Sequence, residues 1–406
     1  MKIKINRYSI QNFCLYFYFF SLNIENFNPT GYFSVSRLSA LIYILSILPS
    51  FKFYLYLSKK SLNFFWPIIF FFIYLTLVSL VNINAYSSRF IDFAILQNIL
   101  IFIIIVNHAR RDGLVLERGM YAFAVGSIFT VFLILLGFGV GMSDEGDRVG
   151  RLTFFNAGIN ELGIKLATGS VIITVLIFQN NLKLGFYRYL MLPFVPLILN
   201  TVLQTGSRTA FLVPIVSIMM LVFYRVLISR YKILAITSAI IGIIAISAPI
   251  IYIAMQSSIL NTIIERFAMT GGAGDFSEKG RFTLWIGFFS LLTKNLFFGN
   301  GFSGFDLIAY EYFGFVESPH NVLLEVLLYS GLIGFSLYVL FLYRAFHSSF
   351  LLFKNNKNIL SVVLLPSMLA YVLILQGLSE KLVWLILAYI FGTFLFGKQN
   401  DLDHKK

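Results

Sequence analysis

The sequence contains few charged residues and almost no cysteine. Of its 406 residues only 12% are charged, whereas soluble domains carry about a quarter, so an ordinary soluble domain is excluded. The one cysteine, Cys14, rules out an internal disulfide framework. Also missing are a Walker-type phosphate loop, a dinucleotide-binding fingerprint and the His-rich spacing of a zinc site. We therefore expect no cofactor, and energy that comes from a preactivated donor or a gradient.

Apolar residues dominate the chain. Hydrophobic residues make up 58% of it and aromatic residues 17%. The apolar runs approach the ~20 residues that cross about 30 Å of hydrocarbon as a helix, and they lack the alternation of a β-barrel. We predict an all-α polytopic membrane protein, a single integral-membrane domain over 1–406 with about twelve transmembrane helices. The predicted spans are roughly 9–22, 33–57, 62–81, 90–107, 119–141, 162–179, 186–203, 209–228, 232–254, 320–343, 359–377 and 380–397.

Basic residues alternate between the two sides of these spans. The formal net charge of +13 follows from loops on one side, which the positive-inside rule assigns to the cytoplasm together with both termini; it does not indicate nucleic-acid binding. The first apolar segment lacks a small-residue cleavage site and is predicted to stay as an uncleaved helix. The basic residues assigned to the cytoplasmic side are Lys52, Lys59, Lys60, Arg110, Arg111, Arg118, Lys183, Arg188, Arg225, Arg230, Lys232, Arg344, Lys354 and Lys357.

The longest polar interval, 256–319, falls on the opposite, exterior side. Within it, Gly280–Thr293 carries apolar residues at helical spacing and is predicted to be an interfacial helix with Trp285 at headgroup level. Ser318 and Pro319 are predicted to be the N-cap and first residue of the next helix, which puts His320 in its first turn. One long exterior loop beside many spans indicates chemistry on that face.

Several arginines lie on the exterior side, which topology disfavours for positive charge. They include Arg151, Arg208, Arg266 and Arg281. Guanidinium groups bind diphosphate in a bidentate manner, and helix N-termini add backbone donors, so we interpret these residues as an anion site. The alternative for each arginine is that its side chain extends to lipid phosphate.

His320 is the one histidine that the predicted topology puts on the exterior side. A neutral imidazole can accept a proton from a sugar hydroxyl near neutral pH; the alternative is a capping or lipid-facing histidine. The acidic run Asp144–Asp147 could hold a divalent cation, but such runs are more often solvated, and we expect no metal site.

Several motifs follow one another in a family-specific order. They are Thr205–Ala210, Gly280-Arg281 with Leu284-Trp285, Phe298–Gly301, Pro319–Asn321 and Gly331–Gly334, preceded by Arg151 and by Asn160 with Gly163. The stretch 150–345 thereby resembles the bacterial O-antigen ligase and polymerase family of membrane glycosyltransferases.

The resemblance implies a C-type (GT-C), metal-independent, inverting glycosyltransferase of the bacterial inner membrane with its active site on the periplasmic face. It implies that the donor is an oligosaccharide on undecaprenyl diphosphate. Arg208, Arg281, Arg151 and Arg266 would bind the diphosphate, and His320 would activate the acceptor hydroxyl. Expected substrate-binding residues are Asn321 and Asn160. The expected partners are this lipid-linked donor, membrane lipids and a chain-length regulator protein, but no nucleic acid.

The sequence leaves three functions open. The first is a surface-polysaccharide polymerase that extends another lipid-linked repeat unit. The second is a ligase that transfers the glycan to the lipid A core. The third is a flippase for lipid-linked oligosaccharides, which would need charges inside its spans; only Asp92, Lys165 and Glu325 lie clearly inside predicted spans. We favour the polymerase.

Overall fold

The structure is a computed structural model that describes residues 7–28, 34–82, 89–142, 150–179, 185–228, 237, 285–293, 295–302, 305, 310, 319–375 and 378–397. Most of these residues are helical. The helices are α1 (Arg7–Ser21), α2 (Val35–Ile47), α3 (Phe51–Leu55), α4 (Lys59–Val81), α5 (Arg89–His108), α6 (Val115–Leu135), α7 (Ile159–Phe178), α8 (Phe194–Gln204), α9 (Arg208–Ile228), α10 (Val322–Asn356), α11 (Leu360–Val363), α12 (Leu365–Ile374) and α13 (Lys381–Phe396).

The helix bounds follow local capping signals. Ser34 and Ser58 cap α2 and α4 with side-chain oxygens that accept backbone N–H bonds. The predicted span 119–141 is too long, because α6 ends at Leu135. Gly137 and Gly139 follow with positive φ angles of 75° and 69°, a backbone conformation that favours glycine and stops the helix.

The chain after α6 forms a small antiparallel hairpin that the all-α expectation missed. Strand β1 (Val140–Met142) pairs with β2 (Leu152–Phe154), with Val140 opposite Phe154. Phe155 follows β2, and its ring lies 4.6 Å from that of Phe27, just beyond α1. The hairpin is thereby attached to the end of the bundle where α1 finishes.

Five helical segments within the described residues are long and apolar enough to cross a membrane: Val35–Leu55, Lys59–Val81, Val115–Leu135, Ile159–Phe178 and Val322–Asn356. Shorter apolar helices are Phe93–His108, Arg208–Phe223, Leu360–Ile374 and Lys381–Phe396. The chain is therefore a mostly helical membrane protein. The figure of about twelve spans stays a prediction, and the predicted span 232–254 lies outside the described residues.

Two hydrogen bonds join residues at the end of the bundle that the charge pattern predicts to be cytoplasmic. Arg344 donates to the Asn63 carbonyl, and Ile359 N–H donates to Gln179 Oε1 at 3.0 Å; all four residues lie at the end predicted to be cytoplasmic. At the other end, residues that follow α1 meet those that begin α7 and α13. Below, that second end is called the site end, because it carries the predicted site residues.

Candidate functional site

Arg208 is the first residue of α9 and is held by a tight turn. Gly206 has φ +61°, and the Ser207 Oγ accepts the Ala210 N–H at 3.3 Å, which makes Ser207 the N-cap. Thr205 Oγ1 in turn accepts the Ser207 N–H at 3.3 Å. The motif therefore fixes a half-buried guanidinium residue at a helix N-terminus, where the helix dipole also favours an anion.

The start of α7 packs directly on this turn. A Cβ at Gly163 would lie 2.7 Å from the Ala210 Cβ and 3.0 Å from the Thr205 Oγ1, so only glycine permits the two backbones to approach this closely. Asn160, in the first turn of α7, is half-buried. The structure thus brings the helix starts that carry Asn160 and Arg208 together, as the predicted site requires.

Helix α12 connects these helix starts to Asn321. The Tyr371 hydroxyl donates to the Glu161 carbonyl of α7 at 3.3 Å. Two residues later, the Leu373 carbonyl accepts a bond from Asn321 Nδ2, also at 3.3 Å. Asn321 and the α7 start therefore contact α12 within one turn of each other.

His320 does not lie inside a helix, contrary to the sequence prediction. Helix α10 begins at Val322, and Asn321 is its N-cap, with Oδ1 accepting the Leu324 N–H at 3.1 Å. An Asn side chain competes effectively for this position, which displaces the predicted Ser318 cap. His320 has φ +50°, an unfavourable left-handed conformation of the kind that surrounding structure holds at functional sites.

Pro319, the residue before His320, is held by a tryptophan. Residues 285–292 are helical, in agreement with the predicted interfacial helix. Trp285 Nε1 donates to the Pro319 carbonyl at 2.8 Å. Arg266 and Arg281, which were predicted to bind diphosphate, lie outside the described residues, as does the acidic run Asp144–Asp147.

A short stretch of chain joins Arg151 to the start of α7. It precedes β2 directly and is half-buried. After β2, Phe155 and Asn156 both have positive φ angles, 48° and 57°, and this sharp turn leads into α7 at Ile159. The hairpin therefore leads from Arg151 to the helix start that carries Asn160.

Sequence reasoning missed a buried cluster of charges at the site end. Lys165 Nζ lies 2.8 Å from Glu25 Oε2 and 2.5 Å from Glu161 Oε1, and the Lys165 side chain is only 5% exposed. Lys381 pairs with the other oxygen of Glu25. The i,i+4 spacing of Glu161 and Lys165 was a visible signal, but Glu25 and Lys381 are distant in sequence.

Glu25 of this cluster and Glu380, the residue directly before α13, both lie outside the helices, and their pKa values shift in opposite directions. Burial alone would raise the pKa of Glu25, but Lys165 and Lys381 outweigh it and lower that pKa to about 2. Burial, and then the Glu161 carboxylate, raise the pKa of Glu380 to about 8. At neutral pH the Glu25 carboxyl is therefore ionised and the Glu380 carboxyl protonated.

A bundle of apolar helices with polar helix starts gathered at one end defines an integral-membrane protein. Residues 192–339 match a family model described as O-antigen ligase, which confirms the resemblance drawn from the motifs. The match supports a function of the polymerase or ligase type. A comparison with curated proteins found no match. The matched region contains five of the predicted site residues: Arg208, Arg266, Arg281, His320 and Asn321.

Arg151 and Asn160 precede the matched region. The contact that brings Asn160 to the site is the packing of α7 on the Arg208 turn. Tertiary structure therefore joins Asn160, which lies outside the family match, to Arg208 within it.

Proposed function

We propose that this protein is a membrane glycosyltransferase that polymerises a surface polysaccharide. It transfers a glycan from undecaprenyl diphosphate to the terminal sugar of a second lipid-linked repeat unit. The active site lies on the periplasmic face of the inner membrane, with both termini cytoplasmic. The reaction inverts the anomeric carbon and needs no metal.

The observation that carries this proposal is the arrangement of helix starts at the site end. Arg208 begins α9 beside the α7 start that carries Asn160, and α12 joins that start to Asn321, next to His320. A cationic helix N-terminus suits a diphosphate. A histidine held just outside it suits a hydroxyl acceptor.

In this mechanism His320 removes the proton from the acceptor hydroxyl while its oxygen attacks the anomeric carbon of the donor. The bond from that carbon to the diphosphate oxygen breaks, and the lipid diphosphate leaves with both bonding electrons. Arg208 and Arg281 stabilise the negative charge that grows on the leaving group. Asn160, Asn321, Arg151 and Arg266 complete the contacts to the donor.

The charge of the exterior loop supports a polymerase. Between 256 and 319 there are four basic residues and six acidic ones, a formal net charge of −2. A phosphorylated lipid A core would be repelled by such a loop, whereas a neutral sugar would not. A chain-length regulator protein would then be the expected partner.

The ligase is the second candidate, because the matching family model is itself described as O-antigen ligase. In that case the acceptor would be the lipid A core, with divalent ions bridging its phosphates to the acidic loop. A flippase is less well supported. Lys165, one of its expected mid-span charges, is paired with two carboxylates rather than placed to bind a passing substrate.

The test is a gel of surface polysaccharide from a deletion strain, with the same strain complemented with this chain as the control. Loss of a polymerase leaves core plus one repeat unit. Loss of a ligase leaves bare core and accumulates polymer on the lipid carrier, and that result would contradict the polymerase assignment. An unchanged polysaccharide ladder would contradict both assignments.

A further inference from the structure

The long helix α10 is broken near its middle. Gly331 has φ +59° and ψ −165°, which is not helical. It follows Val322 by nine residues, or about 14 Å along a helix axis, which is deep in a layer about 30 Å thick. At that depth, backbone N–H and C=O groups need protein partners.

Those partners come from residues 295–302, here called the wedge segment. The Leu332 N–H donates to the Leu296 carbonyl at 2.9 Å, and the Ile333 N–H donates to the Phe297 carbonyl at 3.4 Å. In the opposite direction, the Asn300 N–H donates to the Leu328 carbonyl at 3.0 Å. The wedge segment thus replaces helical hydrogen bonds on both sides of the break.

Glycine is required where the two backbones meet. A Cβ at Gly299 would lie 2.4 Å from the Gly331 nitrogen, and a Cβ at Gly331 would lie 2.4 Å from the Phe297 oxygen. Both glycines also have positive φ. The close approach of the two backbones explains why the motifs Phe298–Gly301 and Gly331–Gly334 occur in the same sequence.

Asn300 makes the central contacts of the wedge segment. It is 3% exposed, and its Nδ2 donates a second bond to the Leu328 carbonyl at 3.3 Å. Its Oδ1 accepts a bond from Asn295 Nδ2 at 2.9 Å. The Asn300 side chain therefore fixes the last turn of the first half of α10, Val322–Ser330.

That half-helix begins directly after His320 and Asn321. At its start it is attached through Asn321 to the Leu373 carbonyl, and through Pro319 to Trp285; at its far end it is attached through Asn300. Over about 14 Å, a tilt of roughly 5° at the break would move the start by about 1 Å. A misplacement of about 1 Å can cost about 100-fold in rate.

We propose that Asn300 is a positioning residue for His320 and Asn321. The wedge segment sets the direction of the half-helix and so holds both residues against the bound substrates. This inference depends on the proposed function for the role of His320. It assigns a task to Asn300, whose side chain is buried against α10.

The principal variant is Asn300→Asp. It retains the backbone N–H and an acceptor for Asn295 but loses the Nδ2 bond to Leu328. In purified, reconstituted protein given a lipid-linked repeat unit, kcat should fall about 100-fold with KM for the donor unchanged. If the carboxylate prevents folding, Asn300→Ala, which keeps the backbone bond, replaces it.

The matched control is Ser79→Ala. Ser79 Oγ accepts the Phe302 N–H at 3.2 Å, so it holds the same wedge segment against α4 rather than against α10. This variant should keep the wild-type kcat and KM. An equal loss of kcat in Asn300→Asp and Ser79→Ala would show that the wedge segment is merely structural, and it would overturn the proposal.

A distance measurement tests positioning without turnover. Nitroxide labels at positions 323 and 379, in a Cys14→Ser background, report the position of the half-helix relative to the start of α13. The distribution of distances between the two labels should be narrow in wild type and in Ser79→Ala. In Asn300→Asp it should be broad or shifted. Wild-type kcat in Asn300→Asp, or lost kcat with an unchanged distribution, would overturn the proposal. A wild type that transfers no glycan contradicts the proposed function instead, and the distance data still distinguish the two failures.

Discussion

Lys165 should be essential for the stability of the site end. It contacts two carboxylates, Glu25 and Glu161, while Lys381 pairs with Glu25. The pKa of Glu380 is raised to about 8, so this group is neutral at pH 7 and the two lysines balance two carboxylates. Lys165→Met removes one positive charge and leaves a buried cluster with a net charge of −1.

Removing one member of a buried ion pair costs about 3–5 kcal/mol, because its partner stays buried without compensation. Lys165 is 5% exposed and Glu161 21% exposed, so solvent screens the remaining charge only in part. Lys381 still neutralises Glu25. We therefore expect the free energy of unfolding to fall by an amount near the lower limit, about 3 kcal/mol. The chief cause is the Glu161 carboxylate, which loses its partner Lys165.

The double variant Lys165→Met/Glu161→Gln restores neutrality and should recover most of the loss, which a double-mutant cycle would measure. Lys60→Met, at an exposed position, is the matched control and should change stability by less than about 0.5 kcal/mol.

Cys14 provides the assay. It is the single cysteine of the chain, lies in α1 and is 6% exposed. A thiol-reactive fluorogenic maleimide should therefore react only when the bundle opens, and the Tm of detergent-solubilised variants can be compared directly. A wild-type Tm for Lys165→Met, or a double variant no more stable than the single one, would refute the reasoning.

The remaining predictions concern the site. Arg208→Ala should abolish glycan transfer at normal expression, with only partial activity in Arg208→Lys because Lys lacks the bidentate fork; full polymer from the Ala variant would refute the role. His320→Ala should lose about 10²–10⁴-fold in turnover while it still binds donor, and weaker binding at unchanged turnover would make His320 a binding residue. EDTA should leave transfer by reconstituted protein intact; a loss restored by magnesium would include Asp144–Asp147 in the site. Because the pKa of Glu380 is raised from 4.5 to about 8, the folded state holds that proton more tightly, so its contribution to stability should fall as pH rises through this window. Glu380→Gln should remove that part of the slope of Tm against pH, and an unaltered slope would contradict the assignment.

Helix positions were predictable because they depend on local hydrophobicity and capping. The predicted spans 62–81 and 209–228 correspond to helices Lys59–Val81 and Arg208–Ile228. The order of the motifs was sufficient to indicate the resemblance to the family, and the family-model match over residues 192–339 supports that resemblance. The end of the predicted span 119–141 was wrong, although the sequence shows the glycines that stop the helix, Gly137 and Gly139.

Tertiary structure decided the features that depend on distant partners. Asn321 caps α10 where Ser318 was predicted to do so, and Trp285 contributes to fixing that start by binding the Pro319 carbonyl. The sequence shows only one possible partner for Lys165, Glu161 at i,i+4 spacing. Only folding brings Glu25 and Lys381 to its side.

The Gly-Asn-Gly turn of the wedge segment shows most clearly what sequence indicates and what only tertiary structure decides. From sequence it is a turn, because glycine and asparagine favour turns whatever surrounds them. The Asn300 N–H donates to the Leu328 carbonyl, and the Leu296 carbonyl of the same wedge segment accepts the Leu332 N–H. Each bond joins residues far apart in sequence, and no local signal specifies such a pairing. Backbone groups in an apolar layer must find partners, and which partners they find is determined when the helices pack.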